Sequence, residues 1–233
     1  MKVVRLNIRN TSKEELEQFF LQHDIPKFKV SQVGDWVWKH HKSNFDSMTN
    51  LSLKERALLK DHFYIKQTQI LKESTSKDGT VKFLFQLEEA KVIEGVLIPQ
   101  LNRLTACISS QAGCSLACDF CATGKLKLFR NLTAGEIYDQ VFLINKFCMH
   151  QFNKPITNIV FMGMGEPLLN IDDLLFSIRS INEDFHISQR RITVSTVAVP
   201  KMIDKLSKKS FHILGKCQFT LAVSLHASNQ KIR

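Results

Sequence analysis

From about residue 104 onward the chain alternates two kinds of segment, and this alternation restricts its fold more than any other feature. The runs RLTACISSQ, ITNIVFMG, RITVST and FTLAVSL are short, apolar and rich in β-branched residues. Between them, 134–151, 172–182 and 200–209 carry apolar residues at helical spacing. Strands separated by helices imply a parallel sheet with right-handed crossovers, hence an α/β fold. The last run ends near Leu225 and the sequence stops at Arg233. A half-barrel of four strands has open edges. The expectation is that the sequence is a fragment or that something else completes the sheet.

The residues before this region divide in two. Residues 12–24, 30–42 and 52–63 read as helices, the first with Thr11 or Ser12 as N-cap and Glu14 and Glu15 in its first turn. In the second, Val30, Val33, Val37 and His40/His41 form a stripe flanked by Trp36 and Trp38. Residues 68–99 change to alternating apolar and polar, with an Asp78-Gly79 turn between two strand-like runs and a third strand after them. The expected organisation is a small helical domain at 1–66, a β-hairpin connector at 67–100 and an α/β core at 101–233.

Three of the six cysteines, Cys114, Cys118 and Cys121, form C-x3-C-x2-C immediately after the first strand of the α/β region. Three interpretations stand beside one another. Buried structural thiols are one. Structural zinc is another, but it needs four ligands, and no His lies between His62 and His150. The third is a [4Fe-4S] cluster held by three thiolates, with one iron left free to bind a ligand. A glycine turn, GMGEP at 163–167, ends the next strand and favours the third. Glycines at a strand end let backbone approach a ligand, and Glu166 adds a carboxylate able to accept from an ammonium or hydroxyl. Ser195 ends the third strand, and Ser224, Leu225 and His226 end the fourth. Active sites of such folds gather at the C-terminal ends of parallel strands.

The net charge is +10, with 15 basic and 12 acidic residues in 1–90 and 17 and 10 in 91–233. A basic surplus suits a polyanion such as nucleic acid. Lys125, Lys127 and Arg130 follow the cysteine loop with no acidic residue between Asp119 and Glu136, a candidate phosphate contact. The start MKVVRLNIRN has no apolar core, and no run of 18 apolar residues occurs. The expectation is a cytoplasmic protein away from membranes.

CISSQAGCSLACDFCATG, FRNLTAGEI, FMGMGEPLLN, SQRRITVST and AVSLHAS together resemble the RlmN/Cfr family of radical S-adenosylmethionine rRNA and tRNA methyltransferases. VSQVGDWVWKH and FDSMTNLS extend the resemblance over nearly the whole chain, and PLLN after GMGE is more similar to the RlmN branch. The resemblance implies a partial radical-SAM (β/α) barrel preceded by a helical RNA-binding-like domain. It implies methylation at C2 of adenosine in 23S rRNA near the peptidyl-transferase centre, and in tRNA beside the anticodon. The Cfr branch acts at C8 instead.

Implied cofactors are a [4Fe-4S] cluster on Cys114, Cys118 and Cys121 and S-adenosylmethionine at Gly165, Glu166, Ser195, Ser224, Leu225 and His226. The resemblance also implies an external electron donor that reduces the cluster, and a monomeric protein is expected. Glu94 matches a proton acceptor, and Cys107 a cysteine that deprotonates the adduct and resolves it through a disulfide. The family's methyl-carrier cysteine lies beyond residue 233. Cys217 precedes the last strand, on the order of 25 Å from its far end at about 3.3 Å per residue, and is no substitute. The alternatives are a non-catalytic RNA-binding remnant and a radical enzyme with another substrate.

Overall fold

The structure, a computed structural model, describes residues 5–225, 227 and 229. The chain forms two compact units, Met1–Gln67 and Thr68–Arg233.

In the first unit, β1 (Leu6–Asn7) is followed by α1 (Lys13–Gln22), α2 (Phe28–Gly34), α3 (Leu53–His62) and β2 (Phe63–Tyr64), which pairs in parallel with β1. Ser12, not Thr11, caps α1: its hydroxyl accepts from the Glu15 N–H, and the Glu15 carboxylate accepts from the Ser12 N–H. Ser52 and Glu55 repeat this reciprocal cap at α3. The helix expected at 30–42 begins two residues earlier and changes at Asp35–Lys39 into a π-helical turn, closed by the His40 N–H on the Asp35 carbonyl. Val30, Val33 and Val37 are buried as the stripe requires, but His40 is exposed. The widened turn ends the 3.6-residue period before the histidines are reached. The core joins those valines to Leu16, Phe20, Phe45, Met48, Leu51 and Leu59.

The second unit contains β3 (Gln69–Thr75), β4 (Val81–Gln86), β5 (Val92–Gln100), β6 (Arg103–Cys107), β7 (Gln111–Ala112) and β8 (Arg130–Asn131). There follow α4 (Ala134–Phe152), β9 (Asn158–Phe161), α5 (Ile171–Phe185), β10 (Ile192–Thr196), α6 (Met202–Leu214) and β11 (Thr220–Val223). Seven strands make one mixed sheet in the order β11-β10-β9-β6-β5-β4-β3. β6, β9, β10 and β11 run parallel, as the strand–helix alternation requires. The hairpin strands do not stand apart as a connector. β5 pairs antiparallel with β6, so the edge expected to lie open at the first parallel strand is covered within the chain.

Burial alternates along the strands and separates two faces of the sheet. Phe83, Ile93, Leu97, Ala106, Ile159, Phe161, Ile192 and Val194 are buried. Phe83 meets Phe147 of α4 edge-on at 5.2 Å, and α4, α5 and α6 pack in succession. Each fully buried aliphatic or aromatic side chain contributes roughly 1.5–3 kcal/mol. The other face carries Val96, Cys107, Val160, Thr193 and Ser195, all partly exposed. Register puts Val96 opposite Cys107, Cys107 opposite Val160, and Val160 opposite Thr193. Glu94, two residues from Val96, shares this face.

Candidate active site at the strand ends

The cysteine loop grows from the end of β6. Its base is the two-residue ladder of β7 and β8, with Gln111 opposite Asn131 and Ala112 opposite Arg130. Inside it, the Cys121 N–H donates to the Cys118 carbonyl at 3.0 Å and the Gly124 N–H to the Cys121 carbonyl at 3.0 Å. Two glycines permit this tight path. A Cβ on Gly113, whose φ is +83°, would lie 2.2 Å from the Lys127 carbonyl oxygen, and one on Gly124 would lie 2.5 Å from that of Cys118.

Cys114, Cys118 and Cys121 are free and partly exposed in this loop. No three His, Cys, Asp or Glu residues among the described ones form a group that could hold a single metal ion. A [4Fe-4S] cluster can be held by three protein thiolates, whereas structural zinc takes four ligands. Three separate soft donors in one folded loop suit that group better than tetrahedral zinc.

Arg130 closes the base of the loop. Its Nε and Nη2 donate to Glu89 at 2.9 and 2.6 Å. Nη1 and Nη2 donate to Glu136 at 2.8 Å each, and Nη1 also donates to the Asn131 carbonyl. These bonds engage all five guanidinium N–H groups, leaving none for phosphate. The phosphate contact expected of Arg130 is therefore corrected to a structural role. Lys125 and Lys127 remain exposed. The Arg130 guanidinium holds the Glu89 carboxyl below its ordinary range.

The GMGEP turn lies against the start of the loop. The Ser110 and Gln111 N–H groups donate to the Met164 carbonyl at 3.0 and 3.2 Å, and the Gly163 N–H to that of Ile108. The Ser109 hydroxyl donates to the Glu94 carbonyl at 2.6 Å and accepts from the Met164 N–H at 2.8 Å. Gln140, on α4, bonds both the N–H and the carbonyl of Ser109. Glu166 is buried, and its two carboxylate oxygens accept from the N–H groups of Leu168 and Val197, each at 3.0 Å. The carboxylate expected to accept from an ammonium or hydroxyl also ties the turn to the residue after β10, with one lone pair on each oxygen left over.

The other expected residues fall as follows. Ser195 and Ser224 meet with their hydroxyl oxygens 3.4 Å apart, and Leu225 is exposed beyond them. His226 lies outside the described residues. Cys107 is on the open face, and burial pushes its thiol above the ordinary range, opposed by the backbone N–H of Met162. Glu94 forms an ion pair with Lys82 at 2.9 Å, both side chains about half exposed. All six cysteines are free, so no disulfide involves Cys107 here. Gln111, Asn131, Gln140 and Asn170, which knit the loops together, carried no spacing signal in the sequence.

Residues 108–233 match the family model described as the Radical SAM superfamily. The chain belongs to the radical SAM superfamily. Residues 6–65 match the model described as the ribosomal RNA large subunit methyltransferase N-terminal domain. A Prochlorococcus marinus (strain MIT 9515) protein named "Probable dual-specificity RNA methyltransferase RlmN" is 53% identical over 230 residues, 97% of this chain and 65% of its own length. A protein of the same name from Cytophaga hutchinsonii is 48% identical over 224 residues, 95% of this chain and 60% of its own. The crystal structure of a radical SAM methyltransferase from Sphaerobacter thermophilus superposes with a TM-score of 0.81 at 35% identity, covering 98% of this chain and 66% of that one. The chain thus spans 60–65% of the length of these curated relatives. Membership in the radical SAM superfamily implies a [4Fe-4S] cluster and S-adenosylmethionine, which the three thiols and the glycine turn fit.

Proposed function

We propose that the chain is the RNA-binding and radical-generating part of a methyltransferase acting at C2 of adenosine in 23S rRNA and in tRNA. One observation carries the reading: the three-thiol loop and the GMGEP turn meet at adjacent strand ends, joined through Gln111. The superfamily match and the RlmN-named relatives support the same chemistry. Cys114, Cys118 and Cys121 would hold the cluster. Gly165, Glu166, Ser195, Ser224, Leu225 and His226 would hold S-adenosylmethionine, with the Glu166 carboxylate held in place by two amides and keeping a further lone pair on each oxygen. When bound, cluster and cofactor supply one-electron cleavage and a carbon radical able to attack an unreactive ring carbon.

The chain's own residues position that chemistry. The partly exposed face with Glu94 and Cys107 would meet the flipped-out base. Glu94 is proposed as the proton acceptor and Cys107 as the cysteine that later deprotonates the adduct. Residues 1–66 would bind RNA, with 67–100 and 101–233 forming the catalytic sheet. The enzyme would act in the cytoplasm as a monomer served by an external electron donor. Among the described residues, no helix is long and apolar enough to cross a membrane.

Cys217 is exposed and precedes β11, opposite the end that carries Ser224, so it is no methyl carrier for this site. The test is anaerobic incubation of the 233 residues with dithionite, labelled S-adenosylmethionine and an rRNA fragment, read by mass spectrometry. Slow formation of 5′-deoxyadenosine without methylated adenosine is expected. Formation of 2-methyladenosine would overturn the carrier assignment, and 8-methyladenosine both that assignment and the C2 specificity.

A further inference from the structure

A line of hydrogen bonds runs across the strand ends and joins the two halves of the site. Asn131, at the base of the cysteine loop, donates Nδ2 to the Leu169 carbonyl at 3.2 Å and accepts at Oδ1 from Gln111 Nε2 at 2.7 Å. Gln111 Oε1 accepts from the Glu166 N–H at 2.9 Å. Glu166 passes the line to the Val197 N–H. Gln111 is 1% exposed, and a Cβ on Gly165 would lie 2.5 Å from its own Cβ, so its stem fills the space beside that glycine. A neutral amide serves both roles here. It must donate toward the loop and accept from the turn at once, which neither a carboxylate nor an alkyl group does. Two residues separate Gln111 from Cys114, so a shift of one end moves the other.

We propose that Gln111 is a positioning residue that sets the separation between the three-thiolate loop and the Gly163–Pro167 turn, so that S-adenosylmethionine can bridge them. The proposal rests on the cofactor reading given above. It assigns Gln111 no contact with the reacting atoms. Its backbone N–H and the β7–β8 ladder already hold the loop closed, so the side-chain amide adds alignment rather than closure.

The test compares the anaerobically reconstituted chain with Gln111→Leu, which removes both bonds, and Gln111→Glu, which keeps the acceptor toward Glu166 and loses the donor toward Asn131. Iron content, S-adenosylmethionine affinity by equilibrium dialysis and the EPR spectrum of the reduced cluster with and without S-adenosylmethionine are measured. Gln111→Leu is expected to keep its iron yet bind S-adenosylmethionine about tenfold more weakly, the size expected when buried polar groups lose their partner. Gln111→Glu should fall between it and the unsubstituted chain, and both should show a diminished change in the EPR spectrum on binding. Should Gln111→Leu fail to fold, Gln111→Glu decides alone. Unchanged affinity and EPR response in a variant with full iron would overturn the proposal. So would loss of iron and affinity in strict parallel, which marks a merely structural role. If the unsubstituted chain takes up no cluster or binds no S-adenosylmethionine, the cofactor reading itself fails and the proposal goes with it.

Discussion

Gly165 has a φ of +99° and lies where a methyl group would strike Gln111. Gly165→Ala combines that clash with a backbone conformation costing roughly 1–2 kcal/mol for an L side chain. It is expected to weaken S-adenosylmethionine binding by about tenfold or more while the iron content holds, as read by equilibrium dialysis and iron analysis. Cys148 tests burial instead. It is fully buried on α4, and desolvation pushes its thiol from an ordinary value of 9.0 to about 12. The folded chain therefore keeps that proton over a pH range in which the unfolded chain loses it. Its contribution to stability is full below about pH 9 and declines as the pH rises toward about 12. Urea midpoints should fall across that range in the native sequence, less steeply in Cys148→Ala. The thiols of the loop and the glycines of the turn were legible because their spacing is local. Gln111 and Arg130 were not, because their roles depend on partners far along the chain: Glu89 is 41 residues from Arg130.

At the scale of elements, periodicity located the strands and helices but not how they pair. β5 and β6 are joined through Leu101 and Asn102, a link without the glycine that marks a tight hairpin, and Leu101 is fully exposed. Nothing local announced that the hairpin region would extend the parallel strands into one sheet. The π-helical turn at Asp35–Lys39 was hidden for a similar reason, since its residues keep helical character while the hydrogen bonds lengthen by one residue. Two separable effects are expected in the loop element. Arg130→Met removes the clamp on Glu89 and Glu136, should cost on the order of 2 kcal/mol, and should lower iron retention. The paired change Lys125→Ala and Lys127→Ala should leave iron in place and flatten the salt dependence of RNA binding by about one unit per lost phosphate contact. An unchanged slope would remove these lysines from the RNA interface.

For the whole molecule, the sheet brings residues from 94 to 225 to one face and one end, while the helices occupy the other face. The +10 charge, weighted toward residues 91–233, is consistent with a polyanionic substrate. The parallel order follows from strand–helix alternation, and the strand-end location of the site follows from that order. Everything proposed for the chemistry stands on a cluster held by the loop after β6. The most direct measurement is therefore the metal content and Mössbauer spectrum of the anaerobically reconstituted chain beside Cys118→Ala. About four irons per chain in a [4Fe-4S] spectrum, lost in Cys118→Ala, is the expected result. Stoichiometric zinc without iron, or a four-iron spectrum undiminished in Cys118→Ala, would contradict the cluster assignment.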